Sequence, residues 1–147
     1  MRLSAKCRLL ALPVLILVLT TATSSAAASP ATRSKTIASY CSSSGDVCYG
    51  IFNRSGKVYL RITTAARYFK RYKLCVRLLP PGSDGSHAQR CGSFPVFRQG
   101  GSTWGSSVNY ARQYPVTDPG RYRVSWKLGP SPLGPPLQFR LPLSRTG

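Results

Sequence analysis

Acidic side chains are almost missing from this chain. Its 147 residues include three aspartates, Asp46, Asp84 and Asp118, and no glutamate, against 21 lysines and arginines. Histidine occurs once, as His87, and methionine once, as Met1. These shortages remove most enzyme chemistries. A glycosidase needs two carboxylates flanking one bond, yet Asp84 precedes Gly85 and Asp118 precedes Pro119, positions where aspartate serves a turn. A Ser–His–Asp triad would have to use His87, which lies in a polar loop and has no G-x-S-x-G elbow to serve. No phosphate-binding or dinucleotide fingerprint occurs, and one histidine makes a poor metal inventory. The reading is that the chain carries no catalytic residue, no metal site and no cofactor.

Long apolar runs are also lacking. The longest, Leu9 to Thr20, follows a positive stretch with Arg2, Lys6 and Arg8 and precedes the small residues Thr23 to Ala28. That order, with an A-x-A-like site at Ala26 and Ala28, is that of a cleavable secretory signal over residues 1–28. About a dozen apolar residues are too few for a hydrocarbon core of roughly 30 Å, which weighs against the alternative of a retained anchor. The exported form is expected to begin between Ala27 and Pro30 and to be secreted or held in the cell envelope. Losing the three basic residues of the signal lowers the formal charge from +18 to +15.

Cys7 leaves with the signal, so Cys41, Cys48, Cys75 and Cys91 remain. Four cysteines in a small exported domain read as two disulfides with three connectivities; the alternative zinc site lacks knuckle spacing. The expected pairs are the local ones, Cys41–Cys48 and Cys75–Cys91, each closing a segment with glycine and polar turn residues.

Helical periodicity is scarce as well. Residues 29–39 are small and polar and read as a flexible lead, and Thr64 to Lys70 could supply at most one helical turn. From Tyr40 the apolar period is two. Strands are expected over Val47–Phe52, Lys57–Thr63, Tyr72–Leu79, Arg90–Arg98, Trp104–Tyr110, Gly120–Leu128 and Leu137–Leu141. Asn53-Arg54-Ser55-Gly56 is a hairpin turn, so its glycosylation-like sequon reads as structural. Pro95 demotes Arg90–Arg98 to an edge or a bend. Short alternating strands about ten residues apart point to an all-β sandwich over residues 40–147.

Asp118-Pro119-Gly120-Arg121-Tyr122-Arg123-Val124 resembles the D-x-G-x-Y-x-C signature of immunoglobulin-like domains. The resemblance implies a two-sheet sandwich of about seven antiparallel strands and a corner tyrosine at Tyr122, whose hydroxyl bonds back to the main chain. Val124 stands where antibody-type domains carry their second core cysteine, so no inter-sheet bridge is implied. The chain also resembles small secreted bacterial Ig-like proteins with a Y-C-x(6)-C start and a P-G-x-Y-R-V-x-W strand, a group that implies compartment and fold without a defined activity.

What is abundant is positive charge. Basic residues interleave with aromatics in Arg67-Tyr68-Phe69-Lys70-Arg71-Tyr72-Lys73, a pattern that suits stacking and anion contact or, equally, a crossover between sheets. If Tyr72–Leu79, Gly120–Leu128 and Leu137–Leu141 are strands C, F and G, parity sends Lys73, Arg77, Arg121, Arg123, Lys127 and Arg140 to one outer face. The sequence therefore suggests a non-catalytic binding module for an anionic partner: an acidic wall polymer, a glycan or an anionic membrane surface, with nucleic acid not excluded. The competing reading is a structural or accessory domain with incidental charge; a protease inhibitor or small hydrolase is more remote.

Overall fold

A computed structural model describes residues 34–79 and 89–143. By contacts the chain divides into Met1–Ala31 and Thr32–Gly147, and every described residue belongs to the second unit. The signal peptide, the start of the lead, Asp84, His87 and Arg145 lie outside the described residues.

Two antiparallel sheets form. The first has the order β1-β2-β3-β7-β6 and the second β10-β8-β4-β5, with β9 beside β8. Their strands are β1 (Lys35–Cys41), β2 (Val47–Arg54), β3 (Lys57–Thr64), β4 (Arg71–Leu79), β5 (Arg90–Pro95), β6 (Phe97–Gly100), β7 (Thr103–Asn109), β8 (Gly120–Leu128), β9 (Ser131–Pro132) and β10 (Leu137–Leu141). The protein is thus an all-β fold stapled by two disulfides, Cys41–Cys48 and Cys75–Cys91. Both bridges join residues directly opposite each other within one sheet, Cys41 on Cys48 and Cys75 on Cys91.

Alternation explains the core. Val58, Leu60 and Ile62 of β3, Tyr72, Leu74 and Val76 of β4, and Tyr122, Val124 and Trp126 of β8 are all buried. They join Tyr49, Ile51, Val108 and Phe139 in one cluster between the sheets. Trp126 stacks on Tyr49 with ring centroids 4.5 Å apart, and Tyr122 stacks on Phe139 at 5.1 Å. The β2–β3 hairpin turns at Ser55 and Gly56, both with positive φ (52° and 76°), and the Asn53 side chain accepts from the Gly56 N–H at 2.9 Å. Two left-handed residues match the twist of the flanking strands, which is why glycine ends that turn.

Four features differ from the expectation. The lead is ordered from Lys35 onward as edge strand β1, whose side chains are mostly exposed. Edge pairing needs main-chain bonds rather than an apolar period, so hydrophobic alternation could not reveal it. Arg90–Arg98 is two strands in different sheets, changing sheet at buried Val96, whose N–H donates to the Lys70 carbonyl at 3.0 Å. Pro95 has no N–H to continue the first ladder. Thr64–Lys70 forms no helix; the helical turn is α1 (Tyr110–Gln113), capped by Asn109, whose side-chain oxygen accepts from the Arg112 N–H at 3.4 Å. The two-residue β9 has no apolar pattern to announce it.

Candidate functional site

The six cations singled out in the sequence share one face, because register places them in opposed pairs. Lys73 faces Lys127 and Arg77 faces Arg123 across β4 and β8, and Arg121 faces Arg140 across β8 and β10. Residues directly opposite in an antiparallel pair project to the same side, with Cβ atoms about 4.5–5.5 Å apart. Their chain neighbours settle which side that is: Leu74, Val76, Tyr122, Val124, Trp126 and Phe139 are buried between the sheets. Lys73, Arg121 and Arg140 are exposed, and Arg77, Arg123 and Lys127 are half-buried. None of β4, β5, β8 or β10 contains an acid.

Like charges directly opposed across strands oppose pairing. Three such pairs lie on this face, and β8 belongs to all of them. The strands are held despite that repulsion by the buried side beneath and by the Cys75–Cys91 bridge, which lies on the cationic face between Lys73 and Arg77. Arg77 and Arg123 have Nε atoms shielded from solvent, so their stems lie against the sheet instead of sampling water freely. Less side-chain entropy is then lost when a ligand is bound.

The Arg67–Lys73 segment does not act as one stacking platform. Tyr72 is buried, its hydroxyl hydrogen-bonded with Ser106 Oγ at 2.8 Å, and Phe69 packs on the core. Tyr68 is 54% exposed, and the Arg67 guanidinium lies over Trp104, 5.2 Å from its ring. The crossover role accounts for two of the three aromatic residues.

At the opposite end of β4, a cavity of about 250 Å³ is lined by Val76, Leu78, Arg90, Tyr110, Tyr114, Val116, Asp118 and Tyr122. The Tyr122 hydroxyl donates to the Asp118 carbonyl at 2.7 Å, spanning the corner that leads into β8. Tyr110 donates to the Val116 carbonyl at 2.5 Å and Tyr114 to the Leu74 carbonyl at 2.6 Å. Each phenol is therefore committed as a donor, and burial, first among the causes, pushes all three above the ordinary tyrosine range. Bonded to the main chain in this way, the three buried rings brace the corner. Sequence reasoning found Tyr122, placed Tyr110 only as the last residue of a strand and assigned Tyr114 no role; the turn α1 after Asn109 is what brings both rings into the core.

A second hollow, about 230 Å³, lies beside the Cys41–Cys48 bridge, where Arg61 stands 4.8 Å over the Phe52 ring. Asp46 precedes β2 beside the end of β3, whereas Asp118 precedes β8 beside the end of β4, so the two acids occupy opposite ends of the strands. Among the described residues, no group of three or more His, Cys, Asp or Glu could hold a metal ion, and no helix is long and apolar enough to cross a membrane.

What fold and bridges define is a class: a two-sheet antiparallel β protein whose paired cysteines suit an oxidising environment. No protein-family model matches the chain, and neither does any curated protein or solved structure.

Proposed function

We propose that this protein is a secreted, non-catalytic, immunoglobulin-like module that binds an anionic polymer through the outer face of the β10-β8-β4-β5 sheet. The observation that carries the reading is the set of three directly opposed cation pairs across β8. Such a face raises the local concentration of polyanions, and an anionic ligand relieves the repulsion between strands. The immunoglobulin-like part is supported by strand order: β2-β3-β7-β6 and β10-β8-β4-β5 correspond to A-B-E-D and G-F-C-C′. Export is supported by the order of charge, apolar run and small residues at the N-terminus and by the two disulfides.

A grouped reversal, Arg121→Glu with Arg123→Glu and Lys127→Glu, tests the reading against the same reversal at Arg54, Lys57 and Arg112, exposed cations off that face. The first set is expected to abolish retention on an anionic polymer matrix and flatten its salt dependence, and the second to weaken it modestly. Equal losses from both sets in folded protein would show that retention follows net charge and that the face is no site.

A further inference from the structure

The arrangement of cations along β8 limits the ligand more narrowly than charge alone. Same-face residues on a strand repeat at about 6.6–6.8 Å. Along β8 this gives four steps: Arg121 beside Arg140, Arg123 beside Arg77, Ser125 opposite Cys75, and Lys127 opposite Lys73. From Arg121 to Lys127 the line is about 20 Å long, a narrow track with cations at three of its four steps. Its width is two or three strands, about 5–10 Å.

Resting on the polyanion reading above, we infer that this track takes a base-free phosphodiester chain, a linear polymer of small polyols joined by phosphate, laid along β8. Three features select it. First, the two charged oxygens of a phosphodiester spread from a tetrahedral centre, so that opposed guanidinium groups can approach them from two sides, whereas the two oxygens of a carboxylate share one plane and one approach. Second, a phosphodiester carries its charge in the backbone. Phosphates joined through a three-carbon alcohol are six bonds apart, a spacing of the same order as the strand repeat. A sulfated glycan is broader and carries its charge laterally. Third, the face has no aromatic side chain among the described residues. By parity none of the outward positions on β4, β8, β10 and β5 is aromatic; among them Cys75 and Leu79 are covered, and the cations stand around them. Single-stranded nucleic acid is ordinarily held by stacking its bases on aromatic rings as well as by its phosphates. A phosphodiester without bases loses nothing on a face without rings.

The test is calorimetric titration of the full mature protein at fixed salt with three oligomers of matched charge: glycerol phosphate, glutamate and thymidylate. A variant carrying Arg121→Lys, Arg123→Lys and Arg140→Lys keeps the charge and removes the planar forks. The wild type is expected to bind the glycerol-phosphate oligomer about tenfold more tightly than oligoglutamate, and at least as tightly as oligothymidylate. In the lysine variant the preference over oligoglutamate should vanish while oligoglutamate affinity is retained. Near-UV circular dichroism reports folding, and the single change Arg121→Lys at an exposed position, expected to lower the preference in part, provides the readout if the triple variant is unstable. Equal wild-type affinity for phosphate and carboxylate chains, a preference unchanged in the lysine variants, or stronger binding of thymidylate would overturn the inference while leaving the polyanion reading intact. Binding of none of the three would remove both.

Discussion

Tyr122 shows how one side chain fixes a corner. Its ring is buried between Tyr110 and Phe139, and its hydroxyl ties the Asp118 carbonyl to the start of β8. Tyr122→Phe keeps the ring and loses that bond, so the expected cost is about 1 kcal/mol in denaturant unfolding. Polymer binding should be unchanged, since the hydroxyl lies away from the cationic face. Trp126 makes a different point: its indole N–H is buried without an acceptor among the described residues, and its stack on Tyr49 supplies packing instead. The seven-residue motif around Tyr122 was readable because a corner tyrosine acts through nearby main chain. The Tyr114 bond to Leu74 crosses 40 residues and leaves no local trace.

At the scale of the element, the two disulfides act as cross-strand rivets. Cys75–Cys91 closes a separation of 16 residues, and Cys41–Cys48 one of 7. In the chain-entropy account the longer closure stabilises by roughly 3 kcal/mol. The paired change Cys75→Ala with Cys91→Ala should lower stability by about that amount in urea unfolding, and should cost more than the pair Cys41→Ala with Cys48→Ala. An equal or smaller cost would mean that closure length does not set what each bridge contributes. Cys75 faces outward between Lys73 and Arg77, so its loss should also loosen the cationic face and weaken polymer binding. At Val96 the chain changes sheet. Pro95 marked a break in the strand, but which sheet receives β6 depends on the ladder offered by β7. On its other side β7 lies close against β3, where a Cβ on Gly105 would run into the Ile62 carbonyl.

For the whole molecule, buried phenols set an alkaline limit. Burial, with the neighbouring Tyr40 second, pushes Tyr49 up to about 12, and burial pushes Tyr72 to about 12 against a smaller lowering from its Ser106 bond. Both values exceed the ordinary 10 of an unfolded chain. A raised folded value favours the neutral, native form. The stability is therefore complete below pH 10 and is lost as pH rises through about 12. Phenolate absorbance and far-ultraviolet circular dichroism followed together should show the buried tyrosines ionising with unfolding inside that window. Ionisation of all eight tyrosines near pH 10 with the fold intact would contradict their burial. No comparable acid limit is expected from carboxylates, because the chain has only three.

Alternation, turn chemistry and cysteine spacing were enough to read an all-β fold, the hairpin at Ser55–Gly56, the buried side of β3, β4 and β8, and both bridges. Each of these is set by interactions between residues near in sequence or by a period within one strand. The parity of Lys73, Arg77, Arg121, Arg123, Lys127 and Arg140 was readable for the same reason. That β4, β8 and β10 are neighbours is what the resemblance around Tyr122 implies; tertiary structure decided the register that stands these cations in opposed pairs rather than merely on one side. It also decided that β1 closes the edge of one sheet and that β6 leaves its neighbour for the other. Strand pairing is a contest among many main-chain ladders of nearly equal local energy. Only simultaneous burial of both apolar faces selects one order, and that condition belongs to the assembled molecule.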